Sequence, residues 1–160
     1  MPKTKSILLA CLLFTHLHEG KSQIIPSQLF GSDMVLQRNK PVAIWGKANP
    51  GEKIVLEWNN LKINTKALPD STWKLILPAQ KEGGPFVISL KGKNALTWKN
   101  VFFGDVWIAS GQSNMEWKLR QPVKNNGMEI SQANYPQIRF LDIKNRVSLS
   151  PKKEIETDWG

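Results

Sequence analysis

The stretch 104–117, "GDVWIASGQSNMEW", joins an apolar run to a cluster of small polar residues. Val106, Trp107, Ile108 and Ala109 read as a buried strand. Ser110, Gly111, Gln112, Ser113 and Asn114 interrupt it, and Met115, Glu116 and Trp117 follow. A serine hydroxyl attacks a carbonyl only when it is exposed, beside a general base and close to donors for the oxyanion. A turn from strand into helix supplies two of these. It lifts the hydroxyl off the sheet edge, and it aims the free amides of the first helical turn at developing negative charge. Gly111 lets the backbone turn sharply and a substrate approach closely. Ser113 is therefore the candidate nucleophile, with Gly111, Gln112 and Asn114 supporting the turn and the oxyanion. The same residue types also suit an ordinary loop with Ser113 as a helix N-cap. Composition and spacing leave both readings open.

The general base is missing. His16 and His18 are the only histidines, and both lie in a segment that reads as a secretory signal. Lys3 and Lys5 form its basic start, and "ILLACLLF" at 7–14 its apolar centre, too short to span a bilayer. Cleavage near Ser22 or Gln23 would also remove Cys11, the only cysteine, so the mature chain would hold no imidazole and no disulfide. Leu8, Leu9, Ala10 and Cys11 resemble a lipoprotein box, but the cysteine sits inside the apolar run, which argues against a lipid anchor. The expected location is secreted or periplasmic. Among the acids, Asp105 lies at the far end of the strand that delivers Ser113, roughly 20 Å away for six extended residues. Glu116 is one helical turn from Ser113, where a carboxylate also simply suits the helix dipole. Asp142 falls nearer the right sheet edge, with nothing further to single it out. The acids show no metal-ligand spacing, and no phosphate- or dinucleotide-binding glycine pattern occurs, so no metal and no cofactor is expected.

The elements around this block fall into two styles. Hydrophobic residues make up 41% of the 160-residue chain, enough for a packed core. From 24 to 103, short alternating runs are separated by turns. Ile54, Leu56 and Trp58 alternate with Val55 and Glu57, Asn59 and Asn60 make a tight hairpin, and Leu61, Ile63, Thr65 and Ala67 face away from Lys62, Asn64 and Lys66. Pro50-Gly51 and the stretch 68–71 mark further turns. Trp73, Leu75 and Leu77 form another alternating run, "KEGGP" breaks the chain, and Phe86, Ile88 and Leu90 form the next before "ALTWKNVFF". Six or seven strands in this span predict an antiparallel β-sandwich. The seven tryptophans are spread along the chain, which fits core packing better than one aromatic binding face.

After 103 the pattern changes. "DVWIAS" reads as a strand of a covered parallel sheet, 114–119 as a short helix, "MEISQANYP" as weakly helical and 138–143 as a second strand. That order begins an α/β layered domain. Two such strands cannot cover themselves, so the pattern predicts a chain that stops inside its second domain. The expected organisation is a signal segment at 1–23, a β-sandwich at 24–103 and an incomplete α/β domain at 104–160. The net charge is +9, and it becomes +7 once Lys3, Lys5, Lys21 and Glu19 are gone. The lysines sit singly at polar strand positions, so a solvated face explains them better than a nucleic-acid surface.

"LFGSDMVLQRNKPVAIWGKANPGEKI", "GGPFVISLKGKN" and "NVFFGDVWIASGQSNMEW" resemble bacterial sialate O-acetylesterases, members of the SGNH-hydrolase superfamily. The resemblance is good over about 29–117 and weaker through "PQIRFLDI". It implies a β-sandwich-like domain preceding an α/β domain that removes O-acetyl groups from sugars, chiefly sialic acids. It places the nucleophile at Ser113, whose backbone N–H would join the oxyanion hole. The catalytic histidine and the remaining oxyanion donors are implied to come from later blocks, beyond Gly160. The expected partner is an O-acetylated sugar or glycan, with no nucleic acid and no membrane span in the mature chain. Acetylated plant polysaccharide is a rival substrate. The alternative from another class is a secreted, non-catalytic glycan-binding module.

Overall fold

The computed structural model describes residues 23–117, 126–144, 146–152, 154–157 and 159. The signal-like segment at 1–22, and the end of the helix expected at 114–119, lie outside the described residues. Eight strands follow in order: β1 (Ile25–Pro26), β2 (Val35–Gln37), β3 (Val42–Lys47), β4 (Lys53–Trp58), β5 (Leu61–Lys66), β6 (Thr72–Leu77), β7 (Gly83–Lys91) and β8 (Ala95–Gly104). Among the described residues a 3-10 turn spans Ser113–Glu116, and a helix, α1, spans Asn126–Gln132. No helix among the described residues is long and apolar enough to cross a membrane.

The strands form two sheets, one ordered β1-β3-β6 and the other β2-β8-β7-β4-β5. Alternation sets their faces as expected. In β4, Ile54, Leu56 and Trp58 are buried; in β6, Trp73, Leu75 and Leu77 are. The two-residue hairpin between β4 and β5 pairs Trp58 with Leu61. Asn59 takes φ 50° there, a left-handed conformation that asparagine tolerates better than most residues. Side chains from both sheets meet in one core cluster. Ile44, Trp73 and Leu75 come from the smaller sheet; Leu56, Ile88 and Val101 come from the larger.

Gly46 explains how β1 can lie so close to β3. A Cβ built there would fall 2.2 Å from the Ile25 carbonyl oxygen and 2.9 Å from the Trp73 ring. Only a residue without one lets both neighbours approach.

Four expectations need correction. The strands are not all antiparallel: β2 runs parallel to β8, with Gln37 opposite Gly104. "GGP" does not end an element but lies inside β7, where the register shifts on either side of Phe86. Glycine and proline suit such a bulge because it gives up ladder hydrogen bonds. A matching irregularity in β8 pairs Phe86 with Val101 and Ile88 with Trp98, an extra residue that keeps Val101 and Phe103 pointing inward. Asn100, at φ 59°, absorbs it.

The other two corrections fall after Gly104. The run 106–109 forms no strand, and Trp107 and Ile108 are 88% and 92% exposed. No neighbouring backbone among the described residues offers it a ladder, and apolar composition alone cannot make a strand. The run 138–143 likewise holds only an isolated bridge between Leu141 and Trp159. The expected helix at "MEISQANYP" is present, beginning earlier, at Asn126. Tryptophan roles divide accordingly: Trp58, Trp73 and Trp98 are buried, while Trp107 and Trp117 are exposed.

Candidate active site

The site begins where β8 ends. The Arg38 amide donates to the Gly104 carbonyl at 2.9 Å. Arg38 then turns its guanidinium onto the next residue, with Nε 2.9 Å from Asp105 Oδ1 and Nη2 3.0 Å from Oδ2. Its remaining fork nitrogen, Nη1, reaches Glu82 Oε2 at 3.1 Å. The Val106 amide donates to Gln37 Oε1 at 3.0 Å. The Asp105 carboxyl is held below the usual carboxylate range, first by the hydrogen bond from Arg38. Glu82 is lowered too, by its own backbone amide first and then by Arg38. Arg38 is raised, chiefly by its bond to Asp105.

Beyond Val106 the chain runs in the open to the 3-10 turn. The Met115 amide closes that turn on the Gln112 carbonyl at 2.9 Å. Gly111 lies under Met115: a Cβ at Gly111 would meet Met115 Cγ at 2.6 Å. Gly111, Gln112 and Ser113 are exposed, and Asn114 belongs to the same turn. The structure thus brings the four expected residues together, with Ser113 first in a helical turn and open to solvent. It differs from expectation in what precedes them, where an irregular arm replaces the strand; a 3-10 turn stands at the start of the expected short helix, whose end lies outside the described residues.

No histidine lies among the described residues. Asp105 is paired with Arg38. The Asp142 carboxylate is exposed, and its backbone carbonyl accepts from Thr157 Oγ1 at 2.7 Å. Among the described residues no group of three or more histidine, cysteine or acidic residues is placed to hold a metal. The residues that sequence reasoning missed are Gln37 and Arg38. Arg38 stands 67 positions from Asp105, and no local pattern links the two.

A second anchor holds the residues after α1. Arg139 Nη1 donates to the Asp33 carbonyl at 2.8 Å and the Asn100 carbonyl at 2.6 Å. Its guanidinium carbon lies 4.5 Å from the centre of the Phe102 ring, a cation–π distance. The Trp159 indole N–H donates to the Leu29 carbonyl at 3.0 Å.

The described residues form a mostly β structure of two sheets, followed by a turn that presents a serine. A crystal structure of a carbohydrate acetylesterase from Xanthomonas citri matches with a TM-score of 0.82 and 31% identity, over 86% of this chain and 32% of that chain. The curated relatives carry a particular name, sialate O-acetylesterase. The mouse (Mus musculus) protein is 32% identical over 143 residues, 79% of this chain and 26% of its own length. The human (Homo sapiens) protein is 35% identical over 125 residues, 70% of this chain and 24% of its own. The chain therefore spans about a quarter of the length of the curated relatives it matches. No family model matches. Sequence and fold together support a place for this chain among the sialate and carbohydrate esterases.

Proposed function

We propose that this chain carries the scaffold and the nucleophile of a carbohydrate O-acetylesterase, acting on O-acetylated sialic acids by serine catalysis. The observation that carries the reading is the exposure of Ser113 at the head of a helical turn, in a chain 31% identical to a carbohydrate acetylesterase of the same fold. Ser113 Oγ attacks the acetyl carbonyl, and a base takes its proton. The oxyanion forms beside the amides of the turn. The sugar hydroxyl leaves with a proton, and water then releases acetate from the acyl-serine. The base that the family resemblance implies is an imidazole, and none lies among the described residues.

The same reading places a boundary at Gly104, where β8 ends and the arm begins, with a sandwich-like unit before it and an SGNH-like unit after it. It also places the protein outside the cytoplasm, on the strength of the signal-like 1–23 segment.

Free imidazole in solution can supply a base of this kind, which makes the 160-residue chain testable. Acetate release from 9-O-acetyl sialic acid and from acetylated xylan is followed with and without imidazole, for the chain and for Ser113→Ala. A serine-dependent rate that rises with imidazole on the sialic acid ester supports the reading. A preference for xylan transfers it to plant polysaccharide. Equal rates for the chain and Ser113→Ala, with binding but no turnover, would leave a glycan-binding module.

A further inference from the structure

We infer that Arg38 is a positioning residue for the Ser113 turn: gripping Asp105 and Glu82, it fixes where the chain leaves β8 and so directs the arm that carries the serine. The inference rests on Ser113 being the nucleophile. The geometry is built from three strand ends. Arg38 follows the last residue of β2, Asp105 follows the last residue of β8, and Glu82 precedes the first residue of β7. These strands are neighbours in one sheet, in the order β2-β8-β7. A single guanidinium therefore ties one end of three adjacent strands.

The grip is directional. Two parallel N–H···O contacts onto Asp105 fix the plane of its carboxylate as well as its distance, which one ammonium cannot do. The Val106 amide on Gln37 Oε1 adds the next fixed point. Past it the backbone is exposed, with Trp107 and Ile108 almost wholly in solvent. Asp105 and Val106 are thus the root of the arm that leads to Ser113.

Charge makes Arg38 more than a strut. It stands between two carboxylates, and both are acidified in part by it. Without Arg38, the like charges of Asp105 and Glu82 are left uncompensated at neighbouring strand ends, which weakens the hold on the arm. A neutral residue at 105 leaves Arg38 paired with Glu82, with no such uncompensated charge. The ordering that follows is specific: Arg38→Ala disturbs the arm more than Asp105→Asn, and adding Glu82→Gln to Arg38→Ala recovers part of the loss.

The test uses the full 160-residue chain and millisecond-quench hydrogen exchange. Two arm amides are followed: Val106, bonded to Gln37, and Met115, bonded to Gln112. Leu56 and Ile88, in strands of the core, are the controls. Arg38→Ala is expected to speed exchange at both arm amides by about threefold or more, the scale of a well-formed exposed ion pair, and to leave the controls unchanged. Arg38→Lys should fall between, and the Glu82→Gln double variant below Arg38→Ala. Acceleration at Val106 but not Met115 would show that the grip does not reach the turn. Equal acceleration at all four amides, or none anywhere, would overturn the inference as well. None of these readings depends on turnover, so failure of the esterase reading in the imidazole experiment is seen separately.

Discussion

Arg139 offers the sharpest single perturbation of how the C-terminal part is held. Its side chain is only 9% exposed, although it carries a full charge. One nitrogen serves the carbonyls of Asp33 and Asn100, the guanidinium covers the Phe102 ring, and the Asp33 carboxylate lies 3.7 Å away. Arg139→Met keeps most of the stem volume and removes the donors. A hydrogen bond from a charged donor contributes about 1.5–3 kcal/mol, and the ring contact about 0.5–2 kcal/mol. Against these stand the relief of desolvating the cation and the freedom regained by a long side chain. The Asn100 bond is exposed, so water takes over part of its role. The net loss comes to about 2 kcal/mol, close to a thirtyfold fall in the docking equilibrium of this segment. Mass-spectrometric hydrogen exchange separates the two outcomes that matter. Peptides within 126–159 should lose roughly thirtyfold in protection, while peptides from β4 and β7 keep theirs. The links from Trp159 to Leu29 and from Thr157 to Gln28 remain, so protection falls without vanishing. A uniform loss across both groups would show one cooperative unit. No loss in 126–159 would show that the Arg139 contacts contribute nothing to docking.

Three further outcomes follow from the same physics. Leu56→Ala, at a fully buried position between β5 and β7, should cost about 2–5 kcal/mol in urea unfolding; a loss below 1 kcal/mol would mean that the core collapses around the cavity. Gly46→Ala forces a methyl group onto the Ile25 carbonyl and the Trp73 ring, so β1 should detach, at about 1–3 kcal/mol; intact exchange protection at Ser27, whose amide bonds to the Trp45 carbonyl, would contradict this. Acid should weaken the fold through Glu57, lowered first by Lys91 and then by Lys62, together with Asp105 and Glu82. Folded carboxyls of depressed pKa stabilise fully above their unfolded value of about 4 and lose that contribution as pH falls through the folded one. The thermal midpoint should therefore be flat from neutrality to about pH 5 and drop below pH 4. The triple variant Glu57→Gln, Glu82→Gln, Asp105→Asn should show a shallower drop, and an unchanged slope would remove these three groups from the account.

The sheets were readable where a pattern repeats over six residues or more. The period-2 alternation of β4, β5 and β6 names the buried side chains, because each strand has one face on the core and one in water. β1 and β2 are two and three residues long and carry no period to detect. At the site, the cluster of small polar residues announced the turn and its serine. The apolar run before it announced a strand that the structure does not contain. Composition reports what a segment would bury; a strand also needs a partner for its amides. Here the Val106 amide finds, among the described residues, a side-chain oxygen, that of Gln37.

That oxygen stands there because β2 runs parallel to β8. Parallel strands run the same way and so finish at the same end of a sheet. The register of β2 on β8 sets Gln37 abreast of Gly104. Arg38 and Asp105, each one residue further on, leave the sheet side by side, and the ion pair follows from that register. Were β2 antiparallel to β8 over the same residues, Gln37 would lie opposite Phe102 and Arg38 opposite Val101, roughly 13 Å short of Asp105 at about 3.3 Å per residue. Gln37 and Arg38 would then be out of reach of the arm, and the serine turn would hang from a bare strand end. The short parallel pair thus brings the end of β2 beside the residues through which β8 continues toward Ser113.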